Sequence, residues 1–261
     1  MVENKVVLVT GAGSGLGRAL ATAFCAQGAT VVGLGRNVKS LEETHKAIKT
    51  IKTIKTNNKL DNNSKFFFYQ ADITDFNQLK EIISIIVTQH NRIDYVFNNA
   101  AVYPRVNFMD ESSADFTQAL NINVSGTANI CKAVLPIMIK QQFGRIYNVG
   151  SFANLAPTPS SAVYCASKGA VRALTMAIAT DLLPLKLDIQ VHEWIPGHVN
   201  TQMSDFTGMD PAIPAAWAVD LTGRENTKTN CIFLENREWL PPKSFKQKIK
   251  SKLLFWKKLV D

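Results

Sequence analysis

Short apolar runs alternate with longer amphipathic stretches along most of the chain. Lys5 to Thr10 is continuous in β-branched residues and Leu, the pattern of a strand buried on both faces of a parallel sheet. Gly11, Gly13, Gly15 and Gly17 follow; then Arg18 to Gln27 places Leu20, Ala23 and Phe24 at helical spacing until Gly28 stops it. The alternation continues as strand Thr30 to Leu34 with helix Ser40 to Lys55, and strand Phe66 to Gln70 with helix Phe76 to Gln89. Strand Ile93 to Phe97 precedes one long helix, Ser113 to Lys140; strand Gly144 to Val149 precedes helix Ala162 to Leu182. A sixth strand, Asp188 to Trp194, and a seventh, Cys231 to Leu234, complete the pattern. It predicts one α/β domain over residues 1–242, a doubly wound, mostly parallel seven-stranded sheet with helices on both faces. Ligands of such sheets bind beyond the carboxyl ends of the strands, so function is sought in the residues after each strand.

Charge changes the picture once it is located. The chain of 261 residues carries 29 Lys and Arg against 21 Asp and Glu, a formal +8 that suggests a polyanion binder. Residues 46–65 hold six Lys and one Asp, however, and residues 243–261 hold seven Lys and one Asp. The remaining body has 16 basic and 19 acidic residues. The basicity belongs to two appendages, and nucleic acid is not an expected partner. The first appendage, with its three-residue Ile-Lys-Thr repeat, reads as a solvated helix extension plus an insertion. With 46% apolar residues the chain can bury a full core. Cys25, Cys131, Cys165 and Cys231 are widely separated without C-x-x-C, which points to reduced thiols; the four His show no ligand spacing, so no metal is expected. The N-terminus enters a strand without a signal-peptide pattern, and no apolar run approaches the ~20 residues of a membrane span. A cytoplasmic protein is expected.

The turn Thr10-Gly11-Ala12-Gly13-Ser14-Gly15-Leu16-Gly17 joins a strand to a helix, where glycines let backbone N–H groups and the positive helix end approach a pyrophosphate. The alternative is simply a tight strand-to-helix connection. Strand two ends in Leu34-Gly35-Arg36-Asn37, with no carboxylate until Glu42. An acid there would take the ribose 2′-OH of NAD, whereas Arg36 suits the 2′-phosphate of NADP. NADP(H) is the expected cofactor. Asp72, after strand three, is placed either to accept from adenine or to cap a helix. Asn98-Asn99-Ala100-Ala101 follows strand four; its small residues suit a backbone lying against a ribose, and an Asn there can tie neighbouring strands.

Ser151 ends strand five, and Tyr164-Cys165-Ala166-Ser167-Lys168 lies within the next helical pattern. Tyr164 and Lys168 are four apart and share one helix face. A phenol titrates near pH ~10, too high for efficient acid/base work at neutrality, and a neighbouring ammonium lowers that value.

These blocks, in this order, resemble the short-chain dehydrogenase/reductase family. The resemblance rests on Thr10-Gly11-x-x-x-Gly15-x-Gly17, Asp72, Asn98 to Ala101, Asn123-Val124-Ser125-Gly126, Ser151, Tyr164-x-x-x-Lys168 and Pro196-Gly197-His198-Val199-Asn200-Thr201. It runs from about Lys5 to Thr201, and more loosely to Pro241. The family usually has Gly where Ala101 stands, and it lacks the 46–65 insertion; the region after Thr201 is short and the tail beyond Pro242 is unusual. What it implies is a Rossmann fold and a homodimer or homotetramer that moves a hydride between nicotinamide and a carbonyl or secondary alcohol. Tyr164 is then the acid/base, Ser151 holds the substrate oxygen, Lys168 lowers the Tyr164 pKa and binds the nicotinamide ribose, and Asn123 holds a water linking Lys168 to solvent. Cofactor contacts are expected from Gly11, Ser14, Gly15, Leu16 and Gly17, and from Arg36, Asn37, Asp72 and Ile73. Asn99, Ala100 and Ala101, with Tyr164 and Lys168, continue the set, and Pro196, Gly197, Val199 and Thr201 close over the nicotinamide. His198 is either a substrate contact or a bystander. Residues 102–109, 152–162 and 203–218, mostly apolar or small, bound the substrate.

A different class remains open, a nucleotide-binding regulator or scaffold on the same fold without turnover. The tail 243–261 aligns Phe245, Ile249, Leu253, Trp256 and Val260 on one helical face with lysines around it. It reads either as packing on this subunit or a symmetry mate, or as a peripheral contact with an anionic membrane surface.

Overall fold

The computed structural model describes residues 2–56, 65–224 and 232–239. Eight strands form one sheet: β1 (Val6–Thr10), β2 (Thr30–Gly35), β3 (Phe66–Gln70), β4 (Tyr95–Asn98), β5 (Phe143–Val149), β6 (Asp188–Ile195), β7 (Ile232–Leu234) and β8 (Arg237–Trp239). Their spatial order is β3-β2-β1-β4-β5-β6-β7-β8. Seven run parallel, and β8 returns antiparallel on β7 at the edge. Seven strands were expected, and β8 is the addition. It is three residues long and polar at Arg237 and Glu238, too short to show an alternation. Cys231, expected to open β7, lies outside the described residues. Strand order reverses between β1 and β4, and a crevice opens at that point.

Period-two alternation divides each strand between two cores. On β1, Val7 and Val9 face one side with α1 (Gly15–Ala26), α2 (Val38–Thr56) and α7 (Ala212–Thr222). Val6 and Leu8 face the other with α3 (Phe76–His90), α5 (Gly126–Gln141) and α6 (Ala162–Leu182). On the first side an aromatic row crosses the strands: Phe97 stacks on Tyr147 at 4.9 Å, and His192 meets Phe233 edge-on at 5.1 Å. The Tyr147 and Tyr95 hydroxyls donate to the carbonyls of Leu221 and Thr222, which satisfies the C-terminal end of α7.

Two helices differ from expectation. The single helix over 113–140 is α4 (Ser113–Leu120) and α5 joined through a π-type turn, Asn121–Ser125. The stretch Ser113–Gln141 is long and apolar enough to cross a membrane, yet it packs within the fold, with α5 filling one core. Helix α7 has apolar residues around its whole circumference, AIPAAWAVDLT, so it lacks the one-sided period by which helices are read.

Asn98 does tie neighbouring strands. Its Nδ2 donates to Asn148 Oδ1 on β5 at 2.8 Å, and Asn148 Nδ2 donates to Thr175 Oγ1 on α6 at 2.8 Å. All three residues are buried, so each lost bond leaves an unsatisfied group away from water. Asn148→Ala should lower the unfolding free energy by about 2–4 kcal/mol in chemical denaturation; a loss below about 0.5 kcal/mol would mean that the chain of amides does not hold the sheet to α6.

Candidate active site

A cleft of about 1480 Å³ runs across the carboxyl ends of the central strands. At one end the chain leaves β1 through Gly11 (φ 69°) and Gly15 (φ 47°), both in the left-handed region where a side chain is strained. Gly17 has ordinary dihedrals but no room, since a Cβ there would lie 2.1 Å from the Gly11 carbonyl oxygen. Asn99 fills the remaining gap: its Nδ2 donates to the Thr10 carbonyl at 2.9 Å, while the Thr10 hydroxyl accepts from the Asn99 and Ala100 N–H groups at 3.0 Å. The Asn99 side chain therefore binds β4 to β1. Arg18, which sequence reasoning passed over, fastens the loop by donating to the Gly13 carbonyl and pairing with Glu43. Ser14, Gly15 and Leu16 line the cleft at the start of α1, whose first N–H groups have no helical acceptor.

Arg36 is exposed at the cleft edge after β2. Asp72 faces the same space, and hydrogen bonds from the Thr74 N–H and hydroxyl, with the Arg36 charge beyond, hold its carboxyl below the usual range against partial burial. The cap of α3 is Asp75, so the capping alternative for Asp72 falls to its neighbour. Ile73, Ala100 and Ala101 also line the cleft. Asn37 and Gly17 do not: Asn37 Oδ1 accepts from the Ser40 N–H at the start of α2, and Gly17 lies behind the wall.

At the other end Ser151, Tyr164 and Lys168 converge. Ser151 closes β5 and accepts from the Ala153 N–H at 3.1 Å. Tyr164 and Lys168 come from the first two turns of α6, with the Lys168 ammonium 5.6 Å from the Tyr164 ring centre. Burial pushes the Tyr164 phenol above the ordinary range, and its hydrogen bond with Ser151 opposes that shift. Burial draws the Lys168 amine down to about 8, against the pull of Glu193; its Nζ donates to the Val149 carbonyl at 2.7 Å. Asn123 lies in the π-type turn, buried, and exchanges two hydrogen bonds with the Val102 backbone at 2.8 and 2.9 Å. Its Nδ2 also donates to Ser167, whose hydroxyl donates to the Tyr164 carbonyl.

Pro196, Gly197, Val199 and Thr201 form the remaining wall. A Cβ on Gly15 would lie 3.0 Å from Thr201 Cγ2, so this loop closes onto the glycine turn. His198, also on the cleft, is exposed and hydrogen-bonds Thr207. Two residues stand out that the sequence did not single out. The Tyr103 ring stacks on Tyr164 at 4.3 Å between centres. Arg105 lies over Tyr103, pairs with Asp205 and donates to the Met203 carbonyl, strapping the loop after β4 to the loop after β6. They belong to no motif, and only the fold brings them to Tyr164 and to Asp205, the latter 100 positions from Arg105. Among the described residues no His, Cys, Asp or Glu cluster could hold a metal.

Comparison with known proteins gives the class. The short chain dehydrogenase family matches residues 5–211, and the chain belongs to that family of oxidoreductases. It is 31% identical over 204 residues to the 3-oxoacyl-(acyl-carrier-protein) reductase FabG of Thermotoga maritima, 78% of each chain. An NAD+-bound xylitol dehydrogenase structure is 33% identical with a TM-score of 0.67, covering 76% of this chain and 71% of that one. A putative short chain dehydrogenase from Pseudomonas syringae superposes with a TM-score of 0.80 at 25% identity over 90% and 96% of the two chains.

The contact at Gly17 is testable without any ligand. Gly17→Ala should destabilise the protein by about 1–3 kcal/mol, because neither the Gly11 carbonyl nor Asn99 can yield. An unchanged thermal midpoint would mean that the turn relaxes freely.

Proposed function

We propose that the protein is an NADP(H)-dependent enzyme transferring a hydride between the nicotinamide and a carbonyl or secondary alcohol. The observation that carries this is one continuous cleft with a glycine turn and a free helix N-terminus at one end and Ser151, Tyr164 and Lys168 at the other. The dinucleotide fits the residues present. The glycine turn is a cradle that Cβ atoms would fill, and the first turn of α1 offers N–H groups to a pyrophosphate. Gly11, Ser14, Gly15 and Leu16 would hold the phosphates, and Asp72 and Ile73 the adenine end. Ala100 and Ala101 would lie along the ribose, and Pro196, Gly197, Val199 and Thr201 would cover the nicotinamide. Gly17 and Asn37 act from behind, one by letting the turn close and the other by starting α2. Arg36, exposed after β2, supports a 2′-phosphate and hence NADP.

The bound nicotinamide supplies or accepts the hydride. Tyr164 donates the proton to the carbonyl oxygen during reduction and takes it back during oxidation. Ser151 hydrogen-bonds the same oxygen and steadies its developing charge. Lys168, as an ammonium, lowers the cost of forming the Tyr164 phenolate and reaches the nicotinamide ribose. Asn123 fixes the turn against Val102, and we assign it the water that links Lys168 to solvent. The reacting end is lined by Tyr103, Pro104, Phe152, Ala156, Met203 and Phe206, and the Arg105 charge there is already paired with Asp205. That lining suits an uncharged carbonyl compound with an apolar substituent. A homodimer or homotetramer acting in the cytoplasm, with residues 1–242 as its domain, fits the family; the tail 243–261, with its possible contacts, lies outside the described residues. A non-catalytic regulator would have no use for the Ser151, Tyr164, Lys168 and Asn123 set.

Tyr164→Phe should abolish NADPH oxidation with apolar ketones, by at least about 100-fold, while NADPH binding by fluorescence titration stays nearly unchanged. Full turnover in that variant would sink the acid/base assignment. Arg36→Asp should shift the NADPH/NADH ratio of kcat/KM toward NADH by about tenfold or more. A parent enzyme that already prefers NADH would show the Arg36 assignment to be wrong.

A further inference from the structure

Strand β6 places a carboxylate inside the molecule, directly behind the reacting end. Glu193 is 1% exposed and sits opposite Asn148 of β5. Its Oε2 accepts from Arg172 Nε at 2.6 Å. Its Oε1, equally buried, has no hydrogen-bond partner among the described residues. That oxygen lies against the backbone at Gly150, where a Cβ would stand only 2.3 Å away. Gly150 separates Ser151 from Val149, and the Val149 carbonyl is the acceptor of Lys168 Nζ. Arg172 lies one turn beyond Lys168 on α6. Glu193, Lys168 and Arg172 are thus one buried charge cluster built across β5, β6 and α6.

Sheet packing does not require such a group. An ionised carboxylate in a core is unfavourable unless paired, and a half-paired one more so. The charge acts on a neighbour that the proposed reaction needs. Burial works against the Lys168 ammonium, and Glu193 is the group that opposes it, leaving the amine at about 8. Burial likewise pushes the Glu193 carboxyl above its ordinary value, opposed first by Arg172 and then by Lys168. The other titratable group on Lys168 is Tyr164, with Tyr103 stacked beyond it. Asn123 and Ser167 on the remaining side are uncharged.

We propose that Glu193, anchored by Arg172, is a positioning residue that keeps Lys168 charged beneath Tyr164 at neutral pH. The inference rests on the assignment of Tyr164 and Lys168 as the acid/base pair. With the anion removed, burial acts on the Lys168 ammonium unopposed, so Lys168 loses its proton at lower pH.

The test follows the Lys168 amine of isotope-labelled full-length protein with pH by NMR, its signal assigned by its absence in Lys168→Met. Glu193→Gln should move the Lys168 midpoint downward by roughly one pH unit. Glu193→Gln combined with Arg172→Met should move it in the same direction by less, because the unpaired guanidinium is gone. Arg172→Lys, which keeps the counter-charge, should restore the parent midpoint. Circular dichroism verifies folding; if Glu193→Gln alone does not fold, the double variant decides. A midpoint unchanged from the parent in the folded Glu193→Gln or double variant overturns the proposal. This titration needs no turnover, so it stands apart from the Tyr164→Phe assay: activity without the phenol would refute the acid/base pair whatever Glu193 does.

Discussion

The arrangement depends first on how closely two strand ends approach each other. Where β1 gives way to its turn, the Gly11 carbonyl, Gly17 and the Asn99 amide occupy a space with no room for one further carbon. Thr10 then locks β1 to the end of β4 through three hydrogen bonds, two with Asn99 and one with Ala100. This contact lies where strand order reverses, so it fixes both walls of the cleft at once. A looser junction would let the start of α1 swing away from β4 and β5, and the two ends of the cleft would no longer face one ligand.

The second organising fact is that the buried amides and hydroxyls around the site hold one another. The Asn98, Asn148 and Thr175 chain crosses two strands and a helix with each amide nitrogen engaged. Asn123 is satisfied through Val102 and Ser167. Tyr164 and Lys168 sit between these anchored groups, half-buried and buried, where charge interactions are stronger than in water. Such a setting makes their protonation sensitive to single neighbours.

Much of this was legible in the residues. Strand β3 and helix α6 have the bounds that their patterns predict, because a short aromatic run and a long apolar stripe leave little choice. Ser151, Tyr164 and Lys168 could be grouped because two lie four apart on one helix and the third ends a strand. What escaped were features that exist only across elements. Tyr103 and Arg105 gain meaning from Tyr164 and Asp205, far along the chain. Glu193 looks like one polar residue in an apolar strand until Arg172 and Gly150 are seen beside it. Helix α7 was invisible for the opposite reason, having no polar face to set its period. That an Asn after β4 could tie strands was legible, but not that both Asn98 and Asn99 would do so, one to β5 and the other to β1.

The π-type turn between α4 and α5 makes the number of residues in that segment a property of the site. One more residue per turn than an α-helix lets Asn123 reach Val102 while α5 still presents Ile130, Val134 and Met138 to the core. Losing a single residue would restore a regular helix and leave α5 nearly in register, because the wide turn itself takes up the extra residue. Asn123, which owes its reach to that turn, would be displaced while the core face of α5 stayed in place. The fold would survive such a loss and the arrangement around Asn123 would not, so the extra residue belongs to the site.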